Sequence, residues 1–123
     1  MILSKLNIDF SICKLHDPAD IDLNHDFVFL SRTDEEISLV CPADLCPQNV
    51  IAVETDWKAL RVDGVLDFSM VGVLSRISGI LAAENISIFV ISTYNTDYIF
   101  LKSQDFEKSI SLLEKNDYKM KNI

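Results

Sequence analysis

The chain has 123 residues, 49% of them hydrophobic and 24% charged, a balance that fits one compact domain or two small units sharing a core. Nineteen acidic residues against eleven basic ones give a formal charge of −8; with no basic cluster to offset it, this charge repels a phosphate backbone, so no nucleic-acid partner is expected. No apolar run has the length of a membrane helix, and Met1-Ile2-Leu3-Ser4-Lys5 lacks the apolar region of a secretory signal. No membrane partner is expected, and the expected compartment is the cytoplasm.

In chain order, Leu6, Ile8, Phe10 and Ile12 alternate with their neighbours and predict a strand over residues 6–15. His16-Asp17-Pro18 stops it, and the polar stretch 19–26 allows a single helical turn or a loop. Residues 27–31 and 37–41 then form a predicted hairpin around Thr33-Asp34-Glu35, closed by Pro42. Residues 43–49, with Pro47 and Asn49, hold no more than a turn of helix before a strand at 50–53. Cys13, Cys41 and Cys46 are odd in number and form no Cys-x-x-Cys pair, so they read as reduced core or turn residues. His16 and His25 lie in an Asp-rich, loop-like segment where a surface role outweighs metal ligation. No metal site and no cofactor are expected.

The second half repeats the order with fuller helices. A strand from Lys58 carries Leu60 and Val62 on one face and ends at Gly64. From Met70 the period lengthens, with Val73, Leu74, Ile77, Ile80 and Leu81 on one helical stripe and Ser69 placed to cap the first turn. Strands at 86–91 and 98–101 flank a polar turn; Phe89 and Ile91 give the first of them a second apolar face, which suggests a cover. A helix at 105–114 follows, with Phe106, Ile110 and Leu113 as its stripe and Asp105 as its cap, and residues 118–120 fit a last short strand. Trp57 reads as a packing anchor. The expected class is α+β: ferredoxin-like βαββαβ, two such units in tandem at 1–56 and 57–123, the first with reduced helices.

The run VDGVLDFSMVGVLSRISGILAAENISIFVISTYNTDYIFLK resembles an ACT domain, with its Gly72-Val73-Leu74 helix start, Asn85-Ile86-Ser87-Ile88, and Ser92-Thr93-Tyr94-Asn95-Thr96-Asp97-Tyr98. Among such proteins it is similar to short bacterial ones with two ACT-like halves, related to aspartate kinase regulatory domains and to the arginine-sensing CASTOR proteins. Residues 29–42 resemble the same group. The resemblance implies a regulatory amino-acid-binding role without catalysis, a homodimer, and a separate effector protein that receives the signal.

Two polar segments are candidate ligand contacts. The loop Asp67, Phe68, Ser69, Met70, Val71 and Gly72 runs into a helix start, where free N–H groups and the positive end of the dipole suit a carboxylate. Asp67 and Ser69 also fit simple helix capping. In the turn, Asp97 can pair with an ammonium, with Thr93 and the backbone of Tyr94 completing the contacts; the same residues fit an ordinary hairpin turn. The resemblance favours ligand binding at both, since the first loop is the usual effector site of ACT domains. Where many of them carry proline and a second glycine, this chain has Met70-Val71, which favours the alternative of a structural or interaction module. No phosphate loop or nucleophile–base pair stands out, and an acylphosphatase-like hydrolase is disfavoured by the acidic loop after Val62.

Overall fold

The computed structural model describes residues 1–66 and 71–123. Its elements are β1 (Ile2–Leu15), β2 (Phe29–Arg32), β3 (Ile37–Pro42), β4 (Val50–Val62), α1 (Val73–Ala82), β5 (Ile88–Ser92), β6 (Asp97–Lys102), α2 (Phe106–Glu114) and β7 (Lys119–Asn122). Single 3-10 turns at Pro18–Asp20 and Ala43–Leu45 stand where a full unit would carry helices, as the proline-broken polar stretches predict. The α+β, ferredoxin-like class expected from the sequence is the observed one.

Two compact units form, one of Met1–Asn7 with Lys58–Ile123 and the other of Ile8–Trp57. The sequential division at 56/57 differs from this in that residues 1–7 group with the C-terminal residues. The chain reaches that arrangement because β1 is longer than the alternation at 6–15 predicts. Its first residues pair in parallel with β7, Leu3 opposite Met120 and Ser4 opposite Lys121, and Leu3 is fully buried.

In the first unit the strand order is β7-β1-β4-β6-β5. Leu60 and Val62 from β4, Ile99 and Leu101 from β6, Ile77 and Leu81 from α1, and Phe106, Ile110 and Leu113 from α2 form one core. Apart from Ile99 and Leu101, these are positions that the two periodicities assign inward. Phe89 and Phe100 are register partners and stack with centroids 4.5 Å apart and planes 3° from parallel; this aromatic pair is the observed neighbourhood of half-buried Phe89.

Both helices stop by the same chemistry. Ile86 N donates to Leu81 O and Tyr118 N to Leu113 O, each at 3.1 Å, around Asn85 at φ 58° and Asp117 at φ 71°. These Schellman-type ends use the two non-glycine types that best tolerate left-handed backbone, and Ile86 and Tyr118 then bury beyond them. The starts differ from expectation. α1 runs from Val73 with Gly72 at its N-cap, and Ser69 and Met70 lie outside the described residues. Asp105 is the N-cap of α2, but its side chain makes no capping bond; the 3-10 turn at Ser103–Asp105 leads into the helix.

In the second unit the order is β2-β3-β1-β4. β3 pairs antiparallel with both β1 and β2, and Cys13, Leu15, Leu39 and Cys41 bury together. All three cysteines are free thiols. Burial, then the neighbouring Cys46, pushes the Cys41 thiol up to about 11, and the same causes raise Cys13 further. β4 is one continuous strand where the sequence predicts a break between 53 and 58, its backbone turning through φ 68° at Asp56 without ending.

One charge network in the first unit makes folding pH-dependent. Asp63 accepts from Ser4 Oγ and from Lys121 Nζ at 3.2 Å, with Arg61 Nε at 3.7 Å. The Ser4 bond, then Lys121, holds its carboxyl below the usual range. A depressed carboxylate stabilises the fold above its unfolded pKa of about 3.9 and loses that contribution as pH falls through the folded value. Urea melts from pH 7 to pH 2.5 are therefore expected to show Asp63→Asn less stable than the wild type at pH 7, the gap closing below about pH 4.

Candidate functional site

Gly72 sits at φ 81°, ψ −6°, left-handed backbone that an L residue enters at a cost. With no side chain, Gly72 at the N-cap gives the first turn of α1 no side-chain capping bond. The first intrahelical bond is Arg76 N to Gly72 O at 2.9 Å, so the N–H groups of Val73, Leu74 and Ser75 have no acceptor within the helix. Those three residues border a cavity of about 250 Å³.

The turn between β5 and β6 forms the opposite wall with Ser92, Thr93, Tyr94, Asn95, Thr96 and Asp97, and Leu66 closes a side. Two bonds hold the turn to the end of β4 and the residues after it. Thr96, 6% exposed, donates its hydroxyl to Val62 O at 2.6 Å, and Leu66 N donates to Asn95 O at 2.7 Å. Within the turn, Thr93 N and Thr93 Oγ1 both donate to Thr96 O, at 2.8 and 3.0 Å.

Asp97 is the one charged side chain among the described lining residues. Ser92 and Asp97 are register partners, and Ser92 Oγ donates to Asp97 Oδ1 at 2.5 Å. That bond fixes the carboxylate at the cavity edge and leaves Oδ2 to a further donor. Arg76, the nearest base on α1, is engaged elsewhere: it donates to Asn116 O at 2.8 Å and lies over the Tyr118 ring. The cavity thus combines an acidic edge, three backbone donors at a helix start, and the aliphatic Leu66, Val73 and Leu74.

Of the residues singled out from sequence, Gly72, Thr93, Tyr94 and Asp97 border this one cavity. Val71 is 91% exposed and is not among its lining residues. Asp67, Phe68, Ser69 and Met70 lie outside the described residues. The Thr93 hydroxyl is committed to hydrogen bonds within its own turn. As wall residues, sequence reasoning missed Leu66, Val73, Leu74, Ser75, Ser92, Asn95 and Thr96. Ser92 and Asp97 flank a four-residue turn, so correct strand ends alone would have paired them; nothing local marks Leu66.

A sequence model of the ACT domain matches residues 52–115, an interval that contains every residue of the cavity wall. The chain belongs to the ACT domain family. ACT domains are typically regulatory. A protein from Agrobacterium tumefaciens with a crystal structure is 32% identical, over 99% of this chain and 92% of its own, with TM-score 0.87. Two aspartate kinase structures share the fold. The ligand-free regulatory subunit from Thermus thermophilus is 9% identical, over 89% of this chain and 94% of its own, with TM-score 0.58. The enzyme from Clostridium acetobutylicum is 13% identical, over 90% of this chain and 33% of its own, with TM-score 0.65. No curated protein matches the sequence.

Two substitutions probe the ACT cavity wall. A Cβ on Gly72 would meet nothing within 4 Å, so Gly72→Ala is expected to lose about 1–2 kcal/mol by backbone strain alone while leaving the cavity open. Thr96→Val keeps the shape and removes the donor to Val62 O, an expected loss of about 1–3 kcal/mol. Urea midpoints at constant slope check both.

Proposed function

We propose that this ACT-domain chain is a regulatory binding protein, not a catalyst, and that its ligand is an α-amino acid or similar zwitterion. The observation that carries the reading is the opposition of charge across one small cavity. Three N–H groups at the start of α1 with no acceptor within the helix suit a carboxylate, and Asp97, held by Ser92, suits an ammonium. A volume of about 250 Å³ is below that of pockets for drug-sized ligands and suits a metabolite of amino-acid size. With Asp97 as the charged group of the described wall, neutral or cationic side chains are favoured over dicarboxylic ones.

In this reading the start of α1 at Gly72 and the turn at 93–97 hold the ligand between them. Occupancy joins α1 to the β5–β6 turn and favours one arrangement of the two, which a separate effector protein reads. The relation to aspartate kinase regulatory structures supports regulation through a bound small molecule; the identity of the amino acid is this proposal's own. The two compact units are read as tandem ACT-like units, the C-terminal one carrying the site, in a protein of the cytoplasm.

Thermal unfolding with each of the twenty amino acids tests this. A ligand at a hundred times its dissociation constant is expected to stabilise the fold by about 2.7 kcal/mol. Asp97→Asn is expected to weaken that ligand about tenfold or more, since hydrogen bonds to charged groups contribute roughly 1.5–3 kcal/mol. No shift with any of the twenty contradicts the proposal and favours a ligand-free interaction module.

A further inference from the structure

The fold gathers all three thiols of the chain in the second unit. Cys13 on β1 and Cys41 on β3 are 1% and 0% exposed. Cys46, which ends the Ala43–Leu45 turn, is half-buried and packs against their cluster. Register decides which sulfurs can be joined. Cys13 stands opposite Leu39 and Cys41 opposite Ser11, so the two are diagonal neighbours, about 7–8 Å apart on an antiparallel ladder. A disulfide spans roughly 4.4–6.8 Å between Cα atoms. Cys46 lies outside the strands, and its side chain is in hydrogen-bonding contact with that of Cys13. It acts on Cys41 through charge instead.

We propose that Cys13 and Cys46 form a reversible disulfide, made by exchange with a small-molecule disulfide of the glutathione type, and that Cys46 is the thiol that reacts first. Its sulfur attacks one sulfur of the oxidant, giving a mixed disulfide on Cys46 and releasing one small thiol, which takes the Cys46 proton. The Cys13 sulfur then attacks Cys46 Sγ, and the second small thiol leaves with the Cys13 proton. Two cysteine thiols are oxidised and one disulfide is reduced to two thiols, so the exchange balances. The surroundings set the order. Burial, then the neighbouring Cys46, raises the Cys13 thiol, so the nucleophilic thiolate does not form there first. Capping Cys46 removes the like charge that opposes ionisation of Cys13.

The bridge closes a loop that contains β2 and β3, and it ties β1 to a place where a 3-10 turn stands in for a helix. Closing that loop restricts the unfolded chain and so stabilises the fold. Disulfides in the cytoplasm, the compartment proposed for this chain, are typically transient and redox-sensing. The other common use of clustered thiols is a metal site, and among the described residues no group of three side chains could hold a metal ion. The device is independent of the amino-acid site.

The test treats the full folded chain with oxidised glutathione and maps the products by mass spectrometry after cleavage at aspartate, which separates Cys41 from Cys46 at Asp44. The expected product is a Cys13–Cys46 disulfide with Cys41 left as a thiol. Its unfolding midpoint in urea is expected to exceed that of the reduced chain, and dithiothreitol is expected to reverse both changes. Cys46→Ser is expected to take up no glutathione while folded, and Cys13→Ala to stop with one glutathione on Cys46. Cys41→Ala is expected to form the bridge as the wild type does. In the wild type, where no substitution disturbs folding, iodoacetamide is expected to label Cys46 about tenfold faster than Cys13 or Cys41. A disulfide that includes Cys41, a bridge between two chains through Cys46, or a wild-type chain that stops at the glutathione adduct overturns the proposal. So does a folded chain whose three thiols all stay reduced.

Discussion

The cavity exists because the β5–β6 turn is bonded to the end of β4. The buried Thr96 hydroxyl on Val62 O and the Leu66 amide on Asn95 O hold the turn beside the strand end. From there the chain passes to Gly72, whose left-handed backbone aims the first turn of α1 at the same space. A buried hydroxyl–carbonyl bond is costly to break, because either group alone is left unsatisfied. The wall is accordingly anchored to the core strand through Val62, itself part of the unit's main hydrophobic cluster.

That anchoring separates support from contact. Thr96 and Thr93 spend their hydrogen bonds on the turn's own shape, while Asp97 is oriented by Ser92 and keeps one oxygen available. Gly72 at the N-cap supplies no side-chain cap to the helix start. A side-chain cap would stabilise α1, typically by about 1 kcal/mol; its omission leaves donors at the cavity. Local stability given up at one helix end is the pattern expected where a site must receive a ligand.

The long, regular features were readable from sequence. The stripes of α1 and α2 and the strand carrying Leu60 bury as their periodicities require, because inward packing and local period agree there. The missed features are those set by distant parts of the chain. β1 begins at Ile2 because β7, more than a hundred residues later, pairs with it; no local signal announces a parallel neighbour. The polar Glu54-Thr55-Asp56 reads as a break, yet β4 continues through it with one residue at positive φ. At the candidate site, Gly72 and Asp97 were legible as turn chemistry. Leu66 was not, since its place depends on a backbone bond to Asn95 that only the folded chain creates.

Backbone amide chemical shifts, recorded on labelled protein with and without the amino acid that stabilises it most, test the account most directly. Binding is predicted to move the amides of Val73, Leu74 and Ser75 together with those of residues 92–97, and to leave the second unit's β2 and β3 unchanged. A stabilising amino acid whose shifts spare the start of α1, or fall among residues outside this cavity, would contradict it.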